Sequence, residues 1–246
     1  MQYVEYGAHN SQTVILLHGG GLSWWNYRDV TQLLSDRFHV VLPFLDGHAG
    51  SDAPFTSIED NAARIIAHID EHFGGKVLAL GGLSLGGQIA VEMLTQRPDI
   101  CRFALLESTL VKPSKLTHAL IKPTFSMSYS LIKQKWFAKL QAAYLGIPQT
   151  LFDDYYQDTC KISKENMIAF LQSNSAYSIN PALRNTQAKV HIVFGSKEQA
   201  SIRASGKLLN RMIPDSTLEV LPEYRHGELS LSHPQAYAQM LLMLIG

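Results

Sequence analysis

The chain has 246 residues, of which 46% are hydrophobic and 17% charged, so it is long enough and apolar enough to bury a large core. Its 21 Lys and Arg residues balance 21 Asp and Glu residues, which argues against nucleic acid or a membrane surface as a partner. The first residues lack the charged and apolar regions of a signal peptide, and no apolar run reaches the ~18 residues of a membrane span, so we expect a soluble, cytoplasmic protein.

Short, nearly all-apolar runs recur along the chain with helix-like segments between them. The runs are residues 14–17, 40–42, 77–80, 103–106, 190–194 and 218–221. Such runs are typical of strands that are buried on both faces of a parallel sheet. Helical patterns follow at residues 58–73, 88–97 and 201–212. The alternation predicts an α/β fold with a mostly parallel central sheet flanked by helices, and a site at the carboxyl ends of its strands.

The run at residues 77–80 leads into Gly82-Leu83-Ser84-Leu85-Gly86, a G-x-S-x-G pattern directly before a helical segment. A serine on a sharp strand-to-helix turn exposes its hydroxyl in a cleft, and flanking glycines leave room for a strained backbone. The start of the helix directs N–H groups and partial positive charge to the same place. The pattern favours a nucleophilic Ser84 over a glycine-rich turn with an incidental serine.

Residues 111–187 interrupt the alternation, because they contain no clear buried strand and are rich in aromatic residues and methionine. Prolines divide this segment into short predicted helices: Pro113, Pro123, Pro148 and Pro181. We interpret it as a helical cap inserted into a core made of residues 1–110 and 188–246. Most of its aromatic side chains are expected to pack within the cap.

A serine nucleophile needs a base and an acid that orients the base. Among ten histidines, His226 is favoured because it follows the last predicted strand and precedes a C-terminal helix. His18 and His48 are competitors, although their glycine-rich loops favour a structural role. Glu198, in the turn after the run at 190–194, is the favoured acid, and Glu107, at the end of the run at 103–106, is the alternative.

Together these residues resemble the α/β-hydrolase fold superfamily over essentially the whole chain. The motifs that carry the resemblance are His18-Gly19-Gly20-Gly21, the loop at 43–52, the Ser84 turn, the turn at 195–198 and His226-Gly227. The chain order of serine, acid and histidine is also that of the family. Small members with a helical cap are the most similar, among them esterases, lactonases and C–C bond hydrolases. This chain departs from the common pattern at Glu198, where aspartate is more usual, and at Asp46, where arginine is common.

The resemblance implies roles for individual residues. Ser84 would be the nucleophile, His226 the general base and acid, and Glu198 the residue that orients His226. The backbone N–H groups of Leu85 and Gly20 would form the oxyanion hole. Gly21 is the less favoured alternative to Gly20.

The implied function is that of a serine hydrolase, which cleaves a small carboxylic ester or related acyl substrate through an acyl-enzyme. The two cysteines match no metal-binding spacing, and the chemistry needs neither a metal nor an organic cofactor. The same residues also fit a C–C bond hydrolase, a lactonase or a lyase, because the fold does not fix the reaction. A non-catalytic ligand-binding protein is the alternative from another class.

Overall fold

Seven strands form one sheet in the computed structural model, which describes all 246 residues. They are β1 (Tyr3–Tyr6), β2 (Thr13–Leu17), β3 (His39–Pro43), β4 (Val77–Leu83), β5 (Cys101–Glu107), β6 (Lys189–Gly195) and β7 (Ser216–Leu221). Their order in the sheet is β1-β3-β2-β4-β5-β6-β7. Only β1 is antiparallel to its neighbour, so the mostly parallel sheet predicted from the sequence is confirmed.

Ten α-helices connect or follow the strands. They are α1 (Arg28–Leu34), α2 (Ile58–His72), α3 (Leu85–Gln96), α4 (Lys115–Ile132), α5 (Lys135–Tyr144), α6 (Phe152–Lys161), α7 (Lys164–Ala176), α8 (Ala200–Met212), α9 (Glu228–Ser232) and α10 (Pro234–Ile245). Three short 3₁₀ helices lie at Trp24–Tyr27, Gln149–Leu151 and Pro181–Asn185. No helix combines the length and the apolar character that crossing a bilayer requires.

The helices predicted at 58–73, 88–97 and 201–212 correspond to α2, α3 and α8. Helix α2 begins where expected, because the Ser57 side chain accepts a hydrogen bond of 2.9 Å from the Asp60 N–H and so caps the first turn. Helix α3 begins earlier than predicted, at Leu85. Gly86 and Gly87 concealed its first turn, since glycine is a poor helix former.

Strand β1 was not among the predicted strands. It has four residues, with Tyr3 and Val4 half-buried and Glu5 and Tyr6 exposed, so it shows no continuous apolar run. It lies at the edge of the sheet and pairs with β3 from Tyr3 opposite Pro43 to Tyr6 opposite Val40. Without an apolar run, β1 lacks the signal that marks the buried strands. Strand β7, at the other edge, was predicted from the run at 218–221, but the expectation that it is buried on both faces was wrong, because its residues are half-buried or exposed.

The sheet separates two apolar layers. Alternate residues of β2 point to opposite faces, as the twofold period of a strand requires. Ile15 and Leu17 belong to the layer that contains α2 and α3, whereas Val14 and Leu16 belong to the layer that contains α1 and α10. Because both faces are covered, every position of β2 is buried. The buried centre of the sheet positions the strand ends from which the site is built.

Between β5 and β6 the chain forms helices α4 to α7 and no strand that joins the sheet. Helices α4 and α7 pack against each other, and Phe170 of α7 reaches the apolar layer on α3's side of the sheet. The segment at 111–187, interpreted from the sequence as a cap, therefore lies outside the sheet. Not all aromatic and Met side chains of this segment pack inward, because Met127, Trp136 and Tyr144 are exposed.

Candidate active site

Ser84 lies between the end of β4 and the start of α3, with a left-handed backbone (φ 53°) that is uncommon for a residue other than glycine. The Ser84 N–H donates to the Glu107 carbonyl oxygen at 2.9 Å, which holds this conformation. A Cβ at Gly82 would lie 2.5 Å from the Gly86 carbonyl oxygen, and a Cβ at Gly86 would collide with the Leu17 carbonyl oxygen. The glycines are therefore needed for close packing around a strained serine.

His226 lies in the loop between β7 and α9, and its Nδ1 is 2.8 Å from Glu198 Oε2. The Glu198 side chain is buried, and its other oxygen accepts hydrogen bonds from the Gly195 N–H at 2.8 Å and from Ser108 Oγ at 2.7 Å. With the carboxylate as acceptor, Nδ1 of His226 carries the proton and Nε2 has its lone pair available. Ser84 and His226 line the same cavity.

Glu107 makes no hydrogen bond to His226, although it lies at the end of the neighbouring strand. Its carboxylate is buried and accepts a hydrogen bond of 3.2 Å from the Ser230 N–H, while Oε2 has no partner. Burial raises the pKa of Glu107 to about 7. Of the two acids considered from the sequence, the structure therefore places Glu198, and not Glu107, against the histidine.

Ser108 is a part of the site that the sequence analysis missed. It has a left-handed backbone (φ 53°) and is almost fully buried. Its Oγ donates to Glu198 and also accepts a hydrogen bond of 3.3 Å from the Gly227 N–H. Ser108 thus joins the turn that carries Glu198 to the loop that carries His226. A polar residue directly after a buried strand was the signal that could have identified it.

The two glycines considered for the oxyanion hole differ in their environment. Gly20 and Leu85 line the cavity that contains Ser84, whereas Gly21 lines a different cavity with Gly20. The Gly21 N–H donates to Nε2 of His48 at 3.0 Å, and the Gly20 N–H has no hydrogen-bond partner within the chain. The Gly20 and Leu85 N–H groups are therefore better placed than that of Gly21 to receive an anion.

His18 and His48 hold loops together and lie outside the Ser84–His226 pair. Nε2 of His18 accepts a hydrogen bond from the Leu45 N–H at 3.2 Å, and Nδ1 of His48 lies 3.0 Å from the Asp46 carbonyl oxygen. Both rings are buried, and burial lowers the pKa of His18 to about 3 and that of His48 to about 4. The structural role that their loops suggested agrees with these contacts.

Asp46, which stands where arginine is common in the resembling family, pairs with Arg64 of α2. Nη1 of Arg64 lies 3.2 Å from Asp46 Oδ1, and Nη2 lies 3.0 Å from Asp52 Oδ1. Burial is the main cause that raises the pKa of Asp46 to about 6, and Arg64 opposes it. The loop at 43–52 has no arginine at position 46, and Arg64 of the neighbouring helix α2 provides the positive charge there instead.

Two cavities of different character meet at Ser84 and His226. One has a volume of about 160 Å³ and is mainly apolar, with Leu22, Leu83 and Phe170 among its lining residues. The other has a volume of about 380 Å³ and is lined mostly by hydroxyl and amide side chains. A molecule that reaches the serine can therefore place an apolar group on one side and a polar group on the other.

Replacing Glu107 by glutamine is expected to change how stability depends on pH. A carboxyl group with a folded pKa of about 7 keeps its proton where the unfolded chain, with an ordinary pKa near 4.5, has lost it. The unfolded state then binds fewer protons, so Glu107 makes stability fall as pH rises between these two values. We therefore compare the unfolding free energy of E107Q with that of the wild type at each pH. This difference should be roughly 2 to 3 kcal/mol more in favour of E107Q at pH 8 than at pH 5.

Urea unfolding of both proteins at the two pH values measures this difference. The comparison between variant and wild type cancels the opposite contribution of His18 and His48, which remain in both chains. If the difference in unfolding free energy between E107Q and the wild type is the same at pH 5 and pH 8, Glu107 is as easily ionised in the folded state as in the unfolded state.

Three features together define the α/β-hydrolase class of protein: a mostly parallel sheet, a strained serine after β4, and a buried carboxylate after β6 that pairs with a partly exposed histidine after β7. The sequence matches the model of the Alpha/beta hydrolase family over residues 14–240, and the chain belongs to this family.

Relatives and solved structures agree with this assignment. The chain is 25% identical to an uncharacterized hydrolase of Bacillus subtilis, YugF, over 91% of this chain and 86% of that protein. It is 24% identical to pimeloyl-[acyl-carrier protein] methyl ester esterase of Cronobacter sakazakii, over 94% and 92% of the two chains. The enol-lactonase from Burkholderia xenovorans LB400 has the same fold, with a TM-score of 0.84, 18% identity and coverage of 99% and 95%.

Proposed function

We propose that the protein is a serine hydrolase that cleaves a small carboxylic ester or a related acyl substrate. The observation that carries the proposal is the 2.8 Å pairing of His226 with the buried Glu198 carboxylate, beside the cavity that Ser84 lines. A serine, an imidazole and a carboxylate in this relation are the parts of a nucleophilic triad. The three residues come from three separate strand ends, which is the usual way a site is built on such a sheet.

In the first half of the proposed reaction, Ser84 Oγ attacks the substrate carbonyl carbon and gives its proton to Nε2 of His226. Glu198 stabilises the imidazolium that forms, because its carboxylate accepts the hydrogen bond from Nδ1. The negative charge on the carbonyl oxygen is held by the N–H groups of Gly20 and Leu85. His226 then donates the proton to the leaving alcohol, and the acyl group remains bonded to Ser84.

In the second half, a water molecule attacks the acyl carbon. His226 removes a proton from this water, and the same N–H groups hold the second oxyanion. Collapse of the intermediate breaks the bond to Ser84 Oγ, which takes the proton back from His226. The carboxylic acid leaves and the enzyme is regenerated. Every proton transfer uses side chains of this protein, without a metal or an organic cofactor.

The two cavities at Ser84 support an ester with an apolar and a polar part. The acyl chain would occupy the apolar cavity, because that cavity contains Gly20 and Leu85, to which the carbonyl oxygen must point. The alcohol would occupy the polar cavity, which His226 also lines and which neither oxyanion donor lines. The names of two similar proteins, an ester esterase and an enol-lactonase, are consistent with acyl chemistry.

A reactivity panel tests the proposal. Purified protein is incubated with a fluorophosphonate and, separately, with short-chain aryl esters, lactones and vinylogous diketones. We expect labelling at Ser84 and fastest turnover of the esters. Faster turnover of the diketones or lactones would instead favour a C–C bond hydrolase or a lactonase on the same residues. A folded protein that neither labels nor turns over any substrate would favour a ligand-binding protein.

A further inference from the structure

Two consecutive helices, α4 and α5, expose large apolar side chains to solvent. These residues, which we call the α4–α5 face, are Leu116, Leu120, Met127, Leu131, Trp136, Leu140 and Tyr144. Met127 is 85% exposed, Tyr144 84% and Leu116 72%. Single exposed apolar residues are normal on a protein surface, but a group of this size on adjacent helices indicates an interaction site.

The exposed residues form one stripe on each helix. With 3.6 residues per turn, those of α4 fall within an arc of about 60° and those of α5 within an arc of about 80°. The two helices follow each other along the chain and are in contact. On the other side of α4, Phe125 and Ile132 pack against the apolar layer of the protein, so the exposed stripe is a second apolar side of this helix. An uncovered apolar stripe of this kind is suited to lie against an apolar medium.

The same part of the chain is strongly basic. Between Glu107 and Asp153 there are six lysines and no acidic residue, so the zero net charge of the whole chain conceals a local excess. Of these six lysines only Lys135 forms an ion pair, with Asp153 at 3.5 Å. On α4, Lys115 and Lys122 lie about 130° to 150° from the middle of the stripe, whereas Lys139 of α5 lies about 100° from the middle of its stripe. Lys139 therefore flanks the apolar stripe of α5, and from there its long side chain can reach an anionic surface while the stripe is buried.

The charge argues against a second copy of the chain as the occupant. A symmetric contact through the α4–α5 face would bring the lysines of one copy near those of the other, which is repulsive. A lipid surface with anionic headgroups satisfies both features, since it offers negative charge at its surface and hydrocarbon beneath it. Trp136 and Tyr144 are residue types that favour this boundary.

Apolar side chains connect the α4–α5 face to Ser84. Tyr144 and Leu145, at the end of α5, line an apolar cavity of about 240 Å³. Leu145, Phe170 and Leu171 line both this cavity and the 160 Å³ cavity that contains Ser84. An apolar substrate that leaves a lipid surface at this face would therefore meet apolar side chains along its way to the serine.

We propose that the α4–α5 face binds an anionic lipid surface, with its apolar residues inserted and the lysines of the same two helices near the headgroups. The sequence analysis argued against a membrane surface from the net charge of the whole chain. That net charge is zero and does not reveal the basic segment between Glu107 and Asp153. The proposal concerns binding alone, so it stands or falls separately from the hydrolase proposed above.

Co-sedimentation with vesicles of phosphatidylcholine, with and without phosphatidylserine, tests the proposal. We expect the wild type to bind the vesicles that contain phosphatidylserine, and binding to weaken as salt is added. The K122Q/K139Q variant removes one exposed lysine from each of α4 and α5, neither of which forms an ion pair, and should bind about 25-fold more weakly, at about fivefold for each lysine. The control K189Q/K207Q removes two exposed lysines from β6 and α8 and should bind as the wild type does.

The apolar part is tested with M127S/W136S, which should weaken vesicle binding by about 10-fold or more. The control is M243S, because Met243 is also an exposed methionine, at 69%, and lies on α10, away from the α4–α5 face. Activity on a soluble ester should stay unchanged in all these variants, since none of the residues lines the cavities at Ser84.

Three outcomes would overturn the proposal. The first is a wild type that does not bind vesicles, or controls that lose binding as much as the test variants do. The second is a wild-type dimer in sedimentation that M127S/W136S dissociates, which would make the face an interface between copies. The third is binding to polyglutamate without binding to vesicles, which would indicate an acidic polypeptide as the partner.

Discussion

The S84A variant is expected to lose ester hydrolysis by a factor of at least about 10⁴ in kcat. Without the hydroxyl there is no atom to form the acyl-enzyme, and only the oxyanion donors and substrate binding remain to assist an attack by water. Alanine keeps the Cβ that already occupies this left-handed position, so the turn before α3 should keep its shape. Turnover of a short-chain aryl ester measures the loss, and absence of fluorophosphonate labelling confirms its cause.

Ser128→Ala provides the matched control for S84A. Ser128 lies on α4, and its hydroxyl donates only to the Thr124 carbonyl oxygen, at 2.8 Å. Both variants should unfold at nearly the temperature of the wild type, and S128A should keep full turnover and labelling. Hydrolysis by S84A at the wild-type rate would remove Ser84 from the mechanism, even if the protein remains an esterase.

The second large effect is expected from E198Q, which should lower kcat by about 10⁴-fold. Both oxygens of Glu198 accept hydrogen bonds, from His226 Nδ1 on one side and from Ser108 and the Gly195 N–H on the other. A glutamine must present its NH₂ group to one of these two sets of donors. If it faces His226, the ring takes the tautomer with its proton on Nε2, which cannot accept the proton of Ser84.

E107Q is the matched control, because it makes the same chemical change in the other buried glutamate near the site. Glu107 contacts the Ser230 N–H and not His226, and a pKa of about 7 means that its neutral form is already well populated at neutral pH. Its activity should stay within about 10-fold of the wild type. An inactive E107Q together with an active E198Q would reverse the assignment of the acid.

Local patterns in the sequence were sufficient for the buried strands and for the serine turn. The apolar runs of β2 to β6 are visible because both faces of those strands are covered, and the glycines beside Ser84 are required by contacts of the turn itself. Strand β1 was missed because its four residues, two half-buried and two exposed, show no such run. From the sequence, the residues of the stripes on α4 and α5 were recognised only as apolar residues of a cap. Their exposure could not be predicted, since a sequence does not reveal which helix face another element covers.

The sequence by itself determined the α/β fold, the serine turn and the short set of residues from which a base and an acid had to come. These features depend on near neighbours along the chain: apolar periodicity, turn glycines and the ends of strands. The pairing of His226 with Glu198 and not with Glu107, the contacts of Ser108 and the exposure of the α4–α5 face were revealed only by the tertiary structure. Each of them depends on which side chains from distant segments meet or fail to meet, and no local pattern carries that information.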